Sequence, residues 1–341
     1  MPRVSTTTWS DLGLVVIGRN EGERLQRCLR SVRAVPHRVY VDSGSSDGSV
    51  EWALSEGLDV VRLESPPPFT AARARNAGLA RLLESQPQLQ FVQMVDGDCE
   101  VQPGWLDVAL ETLRAESHLA LVFGRRRERH PEHSIYNALC DDEWNVPVGE
   151  AAGCGGDAMF RIEALRQVAF YNPGMIAGED SELSMRLRKA GWLLRRLDAE
   201  MTLHDAAMTH FTQWWQRTRR SGHGFGEMAH LHPDARNPDW PRTVRSITTW
   251  GALLPVTLIL CVVLALALTP WAWILVALLA LAWPLKMLQL AHAQRRRGLP
   301  PPVARAAGVL LILGKLPQLF GLLGYHCDRL AGRSSRLIEY H

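Results

Sequence analysis

Three short acidic segments in this sequence have the residue types and spacing that bind cations or accept protons. The first is Asp96-Gly97-Asp98, which directly follows an apolar run. Residues two apart in an extended segment point the same way, so both carboxylates can face one divalent ion. Paired carboxylates, completed by phosphate oxygens and water, suit Mg²⁺ or Mn²⁺. A solvated turn is the alternative interpretation.

The second segment is Glu179-Asp180, which opens a predicted helix that runs to about Ala190. A carboxylate near the positive end of a helix is often a simple capping residue. The functional alternative is a general base, in which Asp180 removes the proton from an acceptor hydroxyl.

The third segment, residues 42–48, reads DSGSSDG and follows a short apolar run. Its small side chains let the backbone approach a ligand closely, and Asp42 can accept hydrogen bonds from ribose or base donors. An ordinary turn followed by a helix cap has the same composition.

Apolar runs typical of strands alternate along the chain with stretches of helical periodicity. Each of the three acidic segments lies at the end of a predicted strand or at the start of a predicted helix. The predicted strands are residues 12–17, 39–41, 60–63, 91–95 and 120–123, and the predicted helices are residues 25–32, 50–57, 71–83 and 103–116. This order predicts an α/β fold with a mostly parallel sheet and helices on both faces. Ligands of such sheets bind beyond the carboxyl ends of the strands, where the acidic segments lie.

Length and composition set the broad class of protein. A chain of 341 residues is long enough for two folding units, and 47% apolar with 21% charged residues excludes a disordered chain. The net charge of only +3 argues against a protein that coats nucleic acid, so no nucleic-acid partner is expected.

One long stretch near the C-terminus is almost free of charge. Between Arg245 and Arg295 lie 49 residues, of which Lys286 alone is formally charged. Since a spanning helix needs about 20 apolar residues, two transmembrane helices are predicted, at about 247–268 and 271–291, with Thr269-Pro270 at the turn. A pair of buried core helices is the alternative. A third apolar segment, about 304–325, is predicted to be interfacial or re-entrant, with a third span as the alternative.

The basic residues that flank this stretch predict its orientation. Arg242 and Arg245 precede the two spans, and residues 295–297 are three consecutive arginines that follow them. Both basic ends therefore belong on the cytoplasmic side of a multi-pass membrane protein. The predicted organisation is a cytoplasmic catalytic domain over residues 1–231, a linker over 232–245 and a membrane region over 246–341. Irregular structure is predicted for residues 232–241 of the linker, which are rich in Pro and Asp.

Taken together and in this order, the segments resemble the family 2 glycosyltransferases of GT-A fold, a Rossmann-like α/β class. The resemblance covers about residues 12–215. Residues 15–21 look like the family's opening strand and turn, residues 74–78 like the segment that approaches the diphosphate, and residues 155–161 like its sugar and acceptor strand.

The resemblance implies a role for each matching position. Nucleotide-sugar contacts are implied for Gly18, Arg19, Glu21, Asp42, Arg75 and Asp96. Metal ligation is implied for Asp96 and Asp98, with His204 as a further ligand, and the Glu179-Asp180 pair supplies the catalytic base. A structural role for His204 is the alternative. The arginine-rich run at residues 124–130 is predicted to be a solvated loop, with closure over the donor phosphates as the alternative.

The implied reaction is a metal-dependent, inverting transfer of a sugar from a nucleotide-diphospho-sugar to a hydroxyl. The long uncharged stretch favours a lipid-linked or membrane-associated glycan as acceptor. A polyprenyl-phosphate sugar synthase of the same family is one alternative, since its phosphate acceptor needs little base catalysis. A membrane-anchored nucleotidyltransferase, which also uses an α/β sheet and paired aspartates, is an alternative from another class.

Overall fold

The computed structural model describes residues 9–64, 68–233, 239–267 and 271–333, which form two compact units. The first contains the described residues up to His130 together with Glu143–Ala207. The second contains Pro131–Asp142 and the described residues from Met208 onward. The first unit therefore ends before residue 231, where the sequence predicts the catalytic domain to end.

The first unit is built on one nine-stranded mixed sheet. Its strands are β1 (Leu12–Gly18), β2 (His37–Asp42), β3 (Asp59–Arg62), β4 (Phe91–Asp96), β5 (Cys99–Val101), β6 (Leu119–Glu128), β7 (Gly149–Glu150), β8 (Ala158–Arg161) and β9 (Leu193–His204). The spatial order is β3-β2-β1-β4-β8-β6-β9-β5, with β7 paired to β9. The five strands predicted from apolar runs are β1, β2, β3, β4 and β6.

Parallel pairing brings the candidate site residues to one edge of the sheet. Strands β3, β2, β1 and β4 run parallel, and the register sets Gly18 opposite Asp42 and Ile17 opposite Asp96. Residues at the carboxyl ends of parallel neighbours share one edge. The predicted α/β class is confirmed, although β8 runs antiparallel between β4 and β6 and makes the sheet mixed.

Thirteen α-helices lie in the described part of the chain. They are α1 (Glu23–Ser31), α2 (Ser49–Ser55), α3 (Ala71–Ser85), α4 (Trp105–Ala115), α5 (Ile135–Glu143), α6 (Ile162–Gln167), α7 (Glu179–Lys189), α8 (Phe211–Leu231), α9 (Asp239–Thr248), α10 (Leu254–Ala267), α11 (Ala272–Arg296), α12 (Pro301–Leu313) and α13 (Lys315–Leu330). The first four match the helices predicted before residue 120, and α7 matches the helix predicted to begin at Glu179 and run to about Ala190.

Two of these helices carry candidate site residues, and their starts follow from local chemistry. Helix α3 begins after Thr70, whose hydroxyl accepts a hydrogen bond from the Arg73 backbone N–H at 3.2 Å, as N-caps do. Helix α7 begins after Gly178, which has a φ of 81°. This left-handed conformation favours glycine, and it sets Glu179 and Asp180 in the positive first turn of the helix.

Strands β6 and β9 pair in parallel with three register shifts. Two of the shifts flank Arg125, so that Arg125 lies opposite Glu200 whereas Arg126 lies opposite Thr202. Side chains of successive residues point to opposite faces of a sheet, and a bulge re-aims the residues beside it. Neighbouring arginines of β6 therefore lie in different surroundings.

The second unit is helical, and its apolar helices fit membrane association. Three helical segments are long and apolar enough to cross a membrane: Trp240–Ala267, Ala272–Arg296 and Pro301–Leu330. The first two correspond to the predicted spans, while the predicted Thr269-Pro270 turn lies outside the described residues. The third includes the predicted interfacial segment, which the structure shows as helices α12 and α13.

The predicted linker differs from the structure in its last part. Residues 234–238 lie outside the described part of the chain, but α9 and a short π-helix (Thr249–Leu253) follow at once. The prediction of irregular structure over 232–241 is therefore wrong for residues 239–241. Pro241, the last proline of this stretch, lies in the first turn of α9. Proline is tolerated there, so it does not prevent the helix from forming.

Close backbone packing between α8 and α13 rests on two glycines. A Cβ on Gly222 would lie 2.0 Å from the Gln318 carbonyl oxygen, and one on Gly321 would lie 2.0 Å from the Arg219 carbonyl oxygen. Small residues of this kind allow helix backbones to touch, as they do in membrane proteins.

Candidate active site

A buried arginine stands at the centre of the candidate site. Arg75, on α3, is only 2% exposed. Its Nη2 donates to Asp96 Oδ1 and its Nη1 to Glu179 Oε1, each at 2.8 Å, and Nη1 lies 3.4 Å from Asp180 Oδ1. One guanidinium thus joins the end of β4 to the first turn of α7. The sequence predicted each of these residues, and the structure brings them together.

The carboxyl of Asp180 has an unusual proton affinity. Burial, helped by the nearby charges of Glu179 and Asp96, raises the pKa of Asp180 to about 7, although Arg75 acts in the opposite direction. A carboxyl with a pKa near neutral is suited to accept a proton in catalysis. Asp180 therefore has the properties of a general base.

Close approach at this centre depends on Gly156, just before β8. A Cβ at this position would lie 2.4 Å from Asp96 Oδ2 and 2.6 Å from Arg75 Nη2. Next to it, Asp157 is buried and accepts a hydrogen bond from the Asp96 backbone N–H at 2.9 Å. The predicted sugar and acceptor segment thus packs directly on the Arg75–Asp96 pair.

Asp98 and His204 form a second part of the site. His204 Nε2 lies 3.2 Å from Asp98 Oδ2, and His204 Nδ1 lies 3.2 Å from Glu128 Oε2. Burial opposes ionisation of both groups, yet His204 lowers the pKa of Asp98, and Asp98 and Glu128 raise that of His204. A carboxylate on the far ring nitrogen is the arrangement by which proteins orient metal-binding histidines.

The donor set in this region fits a hard divalent cation. Ligand atoms of Asp98, Cys99 and His204 lie within 4.8 Å of one another, as do those of Asp96, Cys99 and Asp157. Burial raises the pKa of the Cys99 thiol well above its usual range, so the sulfur stays protonated and is a poor ligand. The remaining oxygen and imidazole ligands suit Mg²⁺ or Mn²⁺.

The Asp96-Gly97-Asp98 segment is not the extended strand that the sequence analysis assumed. Gly97 and Asp98 form a turn between β4 and β5, and the Gly97 backbone N–H donates to the Ile17 carbonyl at 2.7 Å. As a result, Asp96 faces Arg75 while Asp98 faces His204. The two carboxylates belong to adjoining groups rather than to one side of a strand.

The arginine-rich run is a correction to the sequence analysis. Residues 119–128 are strand β6 rather than a solvated loop, and Arg126 is directed into the site. Its Nη2 lies 3.4 Å from Asp96 Oδ2, its Nε 3.7 Å from Asp157 Oδ2, and its guanidinium 4.8 Å from the Trp144 ring centre. The same ring meets His204 edge-on at 4.6 Å.

Sequence reasoning missed Trp144 as a site residue, and it included Arg126 and Glu128 only in the alternative that the run 124–130 closes over the donor phosphates. The available signal was the continuation of the apolar run 119–123 into residues 124–128, where every second side chain of a strand would point to the same face of the sheet.

The predicted nucleotide contacts lie along the neighbouring strand ends. Burial, together with the charge of Asp98, raises the pKa of Glu21 to about 7. Asp42 is buried, and its Oδ2 accepts from the backbone N–H groups of Gly44 and Ser45 at 2.9 and 3.0 Å. Asp42 thus organises its own loop, the role of a turn residue. Gly18 and Arg19, at the end of β1, are half-buried at the same edge.

Two overlapping family models match this chain. Glycosyl transferase family 2 matches residues 14–168, and Glycosyl transferase family group 2 matches residues 146–288. Together they extend over most of the sequence, and the chain belongs to glycosyltransferase family 2.

Similar proteins agree with this membership. A pre-mycofactocin glycosyltransferase of Mycobacterium tuberculosis is 26% identical over 239 residues, which are 67% of this chain and 49% of the relative. The chain thus spans about half the length of the curated relatives it matches. Among solved structures, a mannosyltransferase from Pyrobaculum calidifontis aligns with a TM-score of 0.57 at 18% identity, over 94% of this chain and 88% of the other. That likeness confirms the predicted GT-A fold with its helical region.

Proposed function

We propose that this chain transfers a sugar from a nucleotide-diphospho-sugar to a hydroxyl of a lipid-linked or membrane-associated glycan, with inversion at the anomeric carbon. The observation that carries the proposal is the buried Arg75, which couples the candidate metal side of the site, at Asp96, to the candidate base, Asp180. Family membership favours glycosyl transfer over nucleotidyl transfer.

In this mechanism Asp180 removes the proton from the acceptor hydroxyl as its oxygen bonds to the anomeric carbon. The bond from that carbon to the diphosphate breaks on the opposite face, and the nucleoside diphosphate leaves with the electron pair. One base without a covalent nucleophile gives inversion. The raised pKa of Asp180 favours a hydroxyl acceptor over a phosphate, which would need little base catalysis.

The leaving diphosphate requires positive charge, and the chain offers two sources. Asp96, Asp98 and His204 would hold Mg²⁺ or Mn²⁺, which neutralises charge on the leaving group when bound. Arg126 and Arg75 present guanidinium groups at the same place, and guanidinium matches phosphate oxygens in shape and charge. In support, the mannosyltransferase of the same fold was solved in complex with GDP-Man and Mn²⁺.

The membrane assignment supports the choice of acceptor. Three apolar segments can cross a membrane by length and composition, which would fix the enzyme beside acceptors carried by lipids. The basic flanks at Arg245 and Arg295 favour a multi-pass protein whose catalytic domain faces the cytoplasm.

Metal-dependent nucleotide binding is the first expected result. One nucleoside diphosphate from a panel should stabilise the detergent-purified full chain in the presence of Mn²⁺, by about 2.7 kcal/mol at 100 times its Kd. EDTA should remove the effect, and Asp98→Asn should weaken the apparent affinity by at least about tenfold. Thermal melting with and without metal measures both.

The matched control for that experiment is Cys99→Ala, which removes the neighbouring thiol and should keep the metal response. A response to nucleoside triphosphates alone would instead support a nucleotidyltransferase. Equal nucleotide binding by Asp98→Asn and the unaltered chain would show that Asp98 holds no metal.

The proposed base also predicts the pH dependence of the reaction. Only ionised Asp180 accepts a proton, so kcat/KM should rise with pH through about 7 and fall about tenfold per pH unit below it. Initial rates of nucleoside diphosphate release from pH 5.5 to 8.5 test this. Because the pKa of Glu21 is also raised to about 7, Glu21→Gln is the control and should keep the inflection. An unshifted inflection in the residual activity of Asp180→Asn would contradict the assignment.

A further inference from the structure

A second polar cleft lies in the first unit, apart from the residues of the candidate active site. It has a volume of about 370 Å³, and its charged lining consists of Arg125, Arg127, Arg196, Asp198 and Glu200. These side chains come from the ends of β6 and the middle of β9. The proposed reaction gives none of them a role.

The strand register explains why this cleft is separate from the active site. Arg125 and Arg127 flank Arg126 in β6, and the register shifts beside Arg125 set it opposite Glu200 of β9. Arg126 turns instead towards Asp96. Alternate residues of one strand thus serve two sites.

The surroundings of Arg196 suit a residue that binds a ligand better than one that forms a structural ion pair. It is 6% exposed, and its buried Nε has no hydrogen-bond acceptor among the described residues. A buried guanidinium without acceptors is unfavourable, and buried polar groups in proteins are almost always satisfied. An anion in the cleft, which Arg196 lines, would give this guanidinium an acceptor.

The net charge of the cleft also favours the binding of an anion. Arg127 and Glu200 form a bidentate pair, with both nitrogen–oxygen distances at 2.7 Å. This hydrogen bonding, with the charges of Arg125 and Arg196, lowers the pKa of Glu200, so its carboxylate is ionised at neutral pH. Three guanidinium groups against Asp198 and Glu200 leave the cleft with a positive charge.

We propose that this cleft binds a phosphate-bearing group, held by Arg196 and Arg125 with Arg127 at the rim. Planar guanidinium groups pair with phosphate oxygens through two parallel hydrogen bonds, which gives both affinity and orientation. The site is independent of the sugar-transfer chemistry, and either proposal can fail without the other. The phosphate could belong to a soluble compound or to a lipid headgroup.

The test is a titration of the detergent-purified full chain with inorganic phosphate, followed by thermal melting. Arg196→Gln and Arg127→Gln should each weaken the apparent phosphate affinity by about tenfold or more, the loss expected for one charge-assisted pair. Arg127 is half-exposed, so its variant keeps the test valid if the Arg196 variant fails to fold. Arg62→Gln, an exposed arginine at the end of β3, is the matched control and should bind phosphate normally.

Two comparisons complete the experiment. Tighter binding of a short-chain phosphatidic acid than of inorganic phosphate would support the proposal with a lipid source, and the reverse order would support it with a soluble one. Equal phosphate affinity in Arg196→Gln, Arg127→Gln and the unaltered chain would overturn the proposal. Loss of phosphate binding in Arg126→Gln alone would also overturn it, because the ion would then occupy the candidate active site.

Discussion

Replacing Asp180 by asparagine should lower kcat by about 10²–10⁴-fold, the range that general base catalysis contributes. Asparagine has the same shape but cannot accept the proton of an acceptor hydroxyl at neutral pH. Binding of the nucleoside diphosphate with Mn²⁺ should persist, because Asp96 and Asp98 are unchanged. Steady-state rates of nucleoside diphosphate release, measured beside nucleotide-dependent melting, separate the two effects.

Glu163→Gln is the matched control for that variant. Glu163 is an exposed carboxylate in the first turn of α6, as Asp180 is a first-turn carboxylate of α7. Its neutralisation should leave kcat unchanged. An Asp180→Asn enzyme with normal kcat would remove Asp180 from the role of base and would favour a phosphate acceptor.

Replacing Arg75 by methionine should destabilise the first unit by about 3–5 kcal/mol, the cost of leaving buried charges without their partner. Arg75 is the cation that Asp96, Glu179 and Asp180 share. Without Arg75, the three carboxylates would repel one another, and protonation would relieve this repulsion. The pKa of Asp180, which burial already raises in the folded protein, would then rise further above its value in the unfolded chain.

The sign of the pH effect follows from linkage. A carboxyl whose folded pKa is raised stabilises the fold below its unfolded pKa, and this stability is lost as pH rises through the folded value. The melting difference between Arg75→Met and the unaltered chain should therefore be large at pH 8 and shrink towards pH 5. A simple cavity would give a difference that does not change with pH.

Arg81→Met provides the control on the same helix. Arg81 of α3 is 47% exposed and pairs with Asp59 at 2.7 Å. Exposed ion pairs contribute little to stability, so this variant should melt close to the unaltered chain. An equally small change in melting temperature for Arg75→Met would show that the three carboxylates do not depend on Arg75.

The parallel half of the fold could be predicted from sequence because its signals are local. The apolar run 12–17 became β1, buried at nearly every position, and the Ala- and Leu-rich residues 71–83 became α3. Strand-end placement then located Asp96 at the ligand-binding edge. These inferences need only periodicity and the topology rule for parallel sheets, whereas the shared site of Asp96 and Asp180 was implied by the family resemblance.

The remaining features depend on pairings between distant segments. Arg126 sits in a run of charges, which indicates solvent exposure until β9 supplies its register partner Thr202. The turn at Gly97 is held by the carbonyl of Ile17, 80 residues earlier in the chain. Helix α9 similarly follows a stretch whose prolines indicate a linker. Apart from the apolar run that leads into Arg126, none of these features leaves a local pattern in the sequence.

The register shifts between β6 and β9 restrict how the length of this segment can change. Arg125, Arg126 and Arg127 differ in surroundings only because the bulged pairing fixes which one turns towards Asp96. Deleting Gly124 would move the side chains of all three arginines to the opposite faces of the sheet at once. Insertions and deletions in this segment should therefore be far more damaging than substitutions, and chimeras with relatives must preserve its length.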